Sequence, residues 1–132
     1  FLTLKSFLPG MVERGRGAIV TMASSAARLP GLGAPAPYMA AKAGVVMLTR
    51  QVASEAGPHG VRANCLAPHT VLTEQVQRAA PQEWREQMAA AIPLRRLGTP
   101  EDVAQAAVFL VSDSAAWLTG VTLDVAGGYV MS

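Results

Sequence analysis

Three short apolar segments, separated by segments with helical character, constrain the fold of this chain most strongly. They are AIVTMA (18–23), VRANCLA (61–67) and VTLDV (121–125). The first is nearly unbroken in its apolar character and rich in β-branched residues, a pattern typical of a strand buried on both faces. Strands joined by helical crossovers form parallel sheets with right-handed connections. The sequence therefore predicts an α/β fold built on a parallel sheet.

Helical spacing of apolar residues predicts the segments between the strands. Residues 1–14 form a first helix, which Pro9 is expected to bend. The Gly/Pro-rich stretch RLPGLGAPAP (28–37) is predicted to be a loop, and a long Ala-rich helix follows over 38–56. The stretch GPHG (57–60) ends that helix.

The last third of the chain contains two further predicted helices. One is amphipathic and lies around PQEWREQMAAA (81–91). The other begins with a clear capping signal, because Thr99 is followed by Pro100 and, three residues after the cap, by Asp102. This final helix is expected to extend to about Ser112.

Three strands alone make a poor α/β sheet, and the composition indicates incomplete burial. The chain has 132 residues, of which 51% are hydrophobic and only 15% charged, which is apolar for so short a chain. The outer strands would each need neighbours that this sequence does not supply. We therefore expect the second half of a Rossmann-type doubly wound domain, with three parallel strands, flanking helices and no N-terminal half. All of residues 1–132 are assigned to this one domain.

Composition argues against several classes of function. The single cysteine, Cys65, rules out an internal disulfide framework and is typical of a reducing cytoplasm. One cysteine and two separated histidines, His59 and His69, do not predict a metal site. The net charge is +2 and the arginines are scattered, so nucleic-acid binding is not predicted. No apolar run approaches the roughly 18 residues needed to span a bilayer.

Tyr38 and Lys42 are candidates for a proton-transfer site. They lie four residues apart on the long predicted helix and therefore on one face of it. A free phenol is a poor base at neutral pH, but a nearby ammonium group stabilises the phenolate and makes proton exchange with an alcohol or ketone feasible. The spacing alone is more typical of a surface tyrosine packed on a lysine side chain. The context favours a site, because MASS (22–25) ends the preceding strand and ligands bind beyond the carboxyl ends of parallel strands.

Four segments, in order, resemble the short-chain dehydrogenases/reductases in their single-domain form. They are LPGMVERGRGAIV, then MASSAARL with YMAAKAGVVMLTR, then GVRANCLAPHTVLT, and finally PLRRLGTPEDVAQAAVFLVSDSAAWLTGVTLDVAGG. The resemblance covers essentially the whole chain. It implies a catalytic block over 18–56, a nicotinamide-side loop and substrate lid over 68–98, and a C-terminal helix and strand over 99–132.

By this resemblance Tyr38 would be the catalytic acid/base, and Lys42 would stabilise the phenolate and hold the nicotinamide ribose. A serine would orient the substrate carbonyl. We expect this serine to be Ser24, which the register of the strand selects, although the commonest spacing in the family, 13 residues before the tyrosine, selects Ser25. Tyr38 and Lys42 would also contact the cofactor, which is NAD or NADP.

The segment after the second strand would complete the cofactor site. Pro68, Val71 and Thr73 match positions that face the nicotinamide in the family. His69 departs from the family pattern, which usually has glycine there, and could be a substrate contact or a tolerated loop residue. Ala126 stands where aspartate is common, a change expected to affect packing.

The phosphate-binding glycine loop of the family has no match here. The resemblance implies an NAD(P)-dependent oxidoreductase acting on a secondary alcohol or ketone, cytoplasmic and forming homodimers or homotetramers. The alternative is a truncated, non-catalytic relative or an interaction fragment that lacks the phosphate loop. Residues 72–97 are expected to cover the substrate, although an ordinary amphipathic surface helix explains that segment equally well.

Overall fold

The computed structural model describes residues 1–30 and 33–131. Part of the predicted Gly/Pro loop, residues 31–32, lies outside the described residues. The helices are α1 (Leu2–Glu13), α2 (Ala36–Ala56), α3 (Glu74–Ala79), α4 (Gln82–Ala91) and α5 (Pro100–Val111), the strands are β1 (Gly17–Met22), β2 (Val61–Pro68) and β3 (Thr122–Val125), and 3₁₀ turns lie at Ser25–Ala27, Gly57–His59 and Asp113–Ala115. This order confirms the predicted alternation of helices and strands.

The three strands form one parallel sheet in the order β1-β2-β3. Gly17 pairs with Val61 at the start of β1, and Cys65 pairs with Thr122 at the start of β3. The central strand β2 is almost entirely buried. By contrast β1 is only half-buried and its last residue, Met22, is exposed, because β1 is an edge strand in this sheet. The expectation that AIVTMA is buried on both faces is therefore wrong for this chain.

Side chains of β2 alternate between two packed faces, as the period of a strand requires. Val61 and Ala63 join a buried cluster with Val52 and Ala56 of α2, against which apolar side chains of α1 also pack. The alternate residues of β2 face the connection between α5 and β3. There Arg62 donates hydrogen bonds to the carbonyls of Leu110 and Ser112 at 2.8 and 3.0 Å. Helices therefore cover both faces of the sheet, as in a doubly wound fold.

Asn64 fastens β2 to that same connection. Its side chain is buried, with 1% of its surface exposed. Its Nδ2 donates to the carbonyl of Leu118 at 2.8 Å, and its Oδ1 accepts from the backbone N–H of Val121 at 3.0 Å. Both ends of the amide are thus satisfied, which a buried polar side chain requires.

The turn between α2 and β2 needs a glycine at residue 60. Gly60 has φ +74°, and a Cβ atom there would lie 2.2 Å from the carbonyl oxygen of Gly15. Only glycine combines that conformation with so close an approach of two backbone segments. The turn therefore places the start of β2 against the segment that joins α1 to β1.

The predicted start of α5 is confirmed in detail. The Oγ1 of Thr99 accepts from the N–H of Asp102 at 3.2 Å, and the Oδ2 of Asp102 accepts from the N–H of Thr99 at 2.7 Å. Arg96 binds the same carboxylate through two nitrogens. The hydrogen bond from Arg96, aided by the Thr99 N–H, holds the pKa of Asp102 well below its ordinary value.

The segment before α5 contains one helix more than predicted. The amphipathic helix is confirmed as α4, but α3 precedes it and is separated from it by Ala80 and Pro81. Thr73 caps α3, since its Oγ1 accepts from the N–H of Val76 at 3.3 Å. At six residues α3 was too short to show helical periodicity in the sequence.

Candidate active site

Tyr38 and Lys42 lie in the first two turns of α2, beside the carboxyl end of β1. The Nζ of Lys42 donates a hydrogen bond of 2.9 Å to the carbonyl of Met22, the last residue of β1. The same Nζ lies 5.7 Å from the centroid of the Tyr38 ring, within the range of a cation–π contact. The ammonium group is therefore held next to the phenol by the end of the strand. Tyr38 is 43% exposed.

Ser24 and Ser25 follow β1 but have different surroundings. Ser24 caps the short turn Ser25–Ala27, and its Oγ accepts from the N–H of Ala26 at 3.2 Å. Ser25 is buried, with 3% of its surface exposed. Its Oγ lies 2.9 Å from Nδ1 of His69, at the end of β2. One serine is thus bound within its own turn, and the other is bound to the neighbouring strand end.

A cavity of about 140 Å³ brings these residues together. Its lining residues come from the ends of two strands and the start of one helix; they are Ser24, Ser25, Ala26, Ala34, Tyr38, His69 and Thr70. Both serines and Tyr38 thus line one cavity at the carboxyl edge of the sheet. Such an edge is where parallel α/β sheets bind ligands. The arrangement can polarise an oxygen atom and exchange a proton with it.

The residues predicted to face the nicotinamide have other local roles as well. Pro68 is the last residue of β2. Val71 forms an isolated parallel bridge with Gly98. Thr73 uses its hydroxyl oxygen to cap α3, which leaves its hydroxyl hydrogen free to donate. Among the described residues, none of these three lines the serine–tyrosine cavity.

His69 has a more central place than the sequence predicted. Its ring stacks on that of Tyr129, with centroids 4.0 Å apart and planes 12° apart. Burial lowers the pKa of His69 below its ordinary value of 6.5. The only non-glycine residue with positive φ among those the structure describes is Arg95, so His69 does not carry the backbone strain that a histidine in place of glycine suggested. The departure from glycine was the signal available in the sequence.

A second link between the serine turn and the sheet was missed by the sequence reasoning. Arg28, just after the turn, lies 3.5 Å from the Oδ2 of Asp124 on β3. Burial raises the pKa of Asp124, and the charge of Arg28 acts in the opposite direction. Asp124 and His69 also line an adjoining cavity of about 280 Å³. The turn that carries Ser25 is therefore attached to the ends of both β2 and β3.

The fold and the site define a class of protein. Three parallel strands with flanking helices make up half of a Rossmann-type domain, and Ser25, Tyr38 and Lys42 lie at the carboxyl edge of its sheet. The model of a protein family described as enoyl-(acyl carrier protein) reductase matches residues 1–130. The chain belongs to the short-chain dehydrogenase/reductase family.

Individual relatives agree with this assignment. The chain is 45% identical over 133 residues to "Inactive 2-(S)-hydroxypropyl-CoM dehydrogenase 2" of Xanthobacter autotrophicus, covering 97% of this chain and 57% of the relative. It is 45% identical over 119 residues to L-rhamnose 1-dehydrogenase (NAD(P)(+)) of Sphingomonas sp., covering 89% of this chain and 47% of the relative. The chain spans about half the length of these curated relatives.

The structure of a 3-oxoacyl-[acyl-carrier protein] reductase from Brucella melitensis, with bound NAD, has the same fold. It matches with a TM-score of 0.87 at 35% identity and covers 98% of this chain and 47% of that one. Relatives and structural neighbours of this chain thus use NAD or NADP. In the part of the chain that the structure describes, no helix is both long and apolar enough to cross a membrane.

Proposed function

We propose that this chain is the C-terminal, catalytic part of an NAD(P)-dependent oxidoreductase that interconverts a secondary alcohol and a ketone. The observation that carries the proposal is the shared cavity of Ser24, Ser25 and Tyr38, with the Lys42 ammonium group held beside the phenol. Membership of the family and the nicotinamide cofactors of its relatives support it.

Tyr38 is the proton donor and acceptor in this proposal. During reduction its phenol gives a proton to the carbonyl oxygen of the substrate, and in the oxidative direction the phenolate takes that proton back. The Lys42 ammonium stabilises the phenolate by its positive charge. Since Tyr38 is 43% exposed, the phenolate can recover a proton from solvent between turnovers.

A serine hydroxyl holds the carbonyl oxygen. The register of β1 favours Ser24 for this role, while two observations favour Ser25. Ser25 is the more buried of the two, and its oxygen has a side-chain partner, His69, on another strand end. A hydroxyl oriented by a second residue loses less freedom when it binds a substrate. We therefore assign the oxygen-binding role to Ser25 and keep Ser24 as the alternative.

The residues present fit a nicotinamide ribose on their donor chemistry. The Lys42 ammonium group has three N–H donors and uses one for the carbonyl of Met22, so two remain for sugar hydroxyls. Tyr38, Pro68, Val71 and Thr73 complete the proposed cofactor contacts. When bound, the nicotinamide would supply or accept the hydride.

The test is the substitution Tyr38→Phe in the full-length protein. Turnover of a panel of secondary alcohols and ketones, measured with each nicotinamide dinucleotide, should fall about 10²–10⁴-fold because the proton donor is lost. Binding of the cofactor, followed by its fluorescence, should weaken far less than turnover, because Lys42 and the other proposed cofactor contacts are unchanged.

The matched control is Tyr129→Phe, which removes the only other phenol hydroxyl in the chain and keeps the ring that stacks on His69. It should retain near-normal turnover. If Tyr38→Phe also turns over at a near-normal rate, the role assigned to Tyr38 is wrong. If the unmodified full-length protein binds no nicotinamide dinucleotide and reduces no ketone, the non-catalytic alternative is correct.

A further inference from the structure

We propose that His69 is a positioning residue that donates its Nδ1 proton to the Oγ of Ser25, so that the Ser25 hydroxyl hydrogen is directed to the substrate oxygen. This inference rests on the proposed function for its catalytic meaning. The geometry behind it is the 2.9 Å contact between Nδ1 and Oγ, in which either atom could be the donor.

The two possible arrangements have opposite consequences for Ser25. If Nδ1 lacks a proton, it accepts the hydrogen of the serine hydroxyl, which is then not available to a ligand. If Nδ1 carries the proton, it donates to the serine oxygen, and the serine hydrogen can point into the cavity shared with Tyr38. The choice of tautomer therefore decides what Ser25 can do.

The other ring nitrogen favours the second arrangement. Nε2 of His69 is buried and has no hydrogen-bond partner among the residues that the structure describes. A buried N–H group without an acceptor is rarer in proteins than an under-satisfied acceptor. A neutral ring carries one proton, and burial favours the neutral form because it lowers the pKa of His69. The single proton is therefore better placed on Nδ1, where it has Ser25 as its partner.

The surrounding contacts hold both partners in position. Tyr129 stacks on one face of the imidazole at 4.0 Å and so fixes the plane of the ring. The serine turn is attached separately through Arg28 and Asp124, which lie 3.5 Å apart. Neither the ring nor the turn can move far without breaking one of these contacts, and the Nδ1–Oγ bond is therefore preorganised.

The first test is a double-mutant cycle in the full-length protein. His69→Leu should lower kcat about tenfold with little change in KM, the cost of one hydrogen bond to a reacting group. His69→Asn should stay within about threefold of the unmodified protein, since an asparagine amide can place an N–H near the position of Nδ1. In a Ser25→Ala background, His69→Leu should cause no further loss, because the hydroxyl that it orients is gone.

Two kinetic results would overturn the inference. One is an unchanged kcat in His69→Leu. The other is a loss in the double variant equal to the product of the two single losses, since a merely structural role of His69 would act independently of the Ser25 hydroxyl.

The second test needs no variant for its main readout and no enzymatic activity. In the ¹⁵N-histidine NMR spectrum of the full-length protein at neutral pH, His69 should show a protonated Nδ1 and an unprotonated Nε2. The signal is assigned by its loss in His69→Asn, and His59, which is exposed, serves as the solvated reference. A protonated Nε2 with a bare Nδ1 refutes the inference. An inactive protein with the expected tautomer would refute the proposed function and leave the hydrogen bond standing.

Discussion

Removing the Asn64 side chain should destabilise this fold far more than an ordinary polar substitution. In Asn64→Ala the carbonyl of Leu118 loses the hydrogen bond from Asn64 but keeps one from Nη1 of Arg62 at 3.3 Å. The loss of the Asn64–Leu118 hydrogen bond therefore costs about 1 kcal/mol. The N–H of Val121, a half-buried residue, loses the acceptor that Asn64 provides, and a donor left unpaired away from water costs about 1–3 kcal/mol. The expected loss in the free energy of unfolding is therefore about 2–4 kcal/mol.

Urea unfolding of the full-length protein, followed by circular dichroism, measures this loss. For a slope of about 3 kcal/mol per M, a loss of about 3 kcal/mol lowers the midpoint by roughly 1 M. The curves are recorded at two protein concentrations, so that dissociation of subunits is not counted as unfolding.

The matched control removes a carboxamide from the surface. Gln51 donates a hydrogen bond of 2.6 Å to Glu55 one turn along α2, and both residues are exposed. Gln51→Ala should change the free energy of unfolding by less than about 0.5 kcal/mol. If Asn64→Ala is no more destabilising than Gln51→Ala at an unchanged slope, then water or a neighbour replaces the amide, and the reasoning about β2 and the α5–β3 connection is wrong.

Two further predictions concern assembly and acid stability. Large apolar side chains are exposed on several helices, among them Phe7, Met47 and Phe109, so light scattering should show the full-length protein as a homodimer or homotetramer, and a monomer would contradict this. Arg96 and Thr99 hold the pKa of Asp102 in the folded state below its ordinary value of 3.8. The charged Asp102 carboxylate therefore stabilises the folded state at pH values above 3.8, and this stabilisation is lost as the pH falls below 3.8. The stability difference between the unmodified protein and Asp102→Asn should therefore be constant from about pH 7 to pH 5 and shrink below about pH 4; a difference that persists unchanged in acid would argue against it.

Local rules allowed much of the fold to be predicted. The cap of α5 depends on two residues that lie three positions apart, Thr99 and Asp102. Hydrogen bonds between residues so close in the chain can be predicted from the sequence. The pairing of Tyr38 with Lys42 needed only the geometry of one helical turn. The parallel sheet followed from the alternation of strands and helices.

The contacts that escaped prediction join residues far apart in the chain. The bond between Ser25 and His69 spans 44 positions, and that between Asn64 and Val121 spans 57. Their formation depends on which strand ends become neighbours, and the sequence alone shows only the single residues. The exposure of β1 was mispredicted for a related reason, because its apolar pattern reflects a strand with two neighbours, whereas the structure gives it one.

The hydrogen bond between Lys42 and the carbonyl of Met22 limits how many hydrogen bonds the Lys42 ammonium group can donate to a ligand. With one proton already committed to the peptide backbone, the ammonium can serve at most two further acceptors at a time. Two adjacent sugar hydroxyls would saturate it. Its influence on the phenolate would then act across space, through charge alone, and would weaken with any change that lets water between the two side chains.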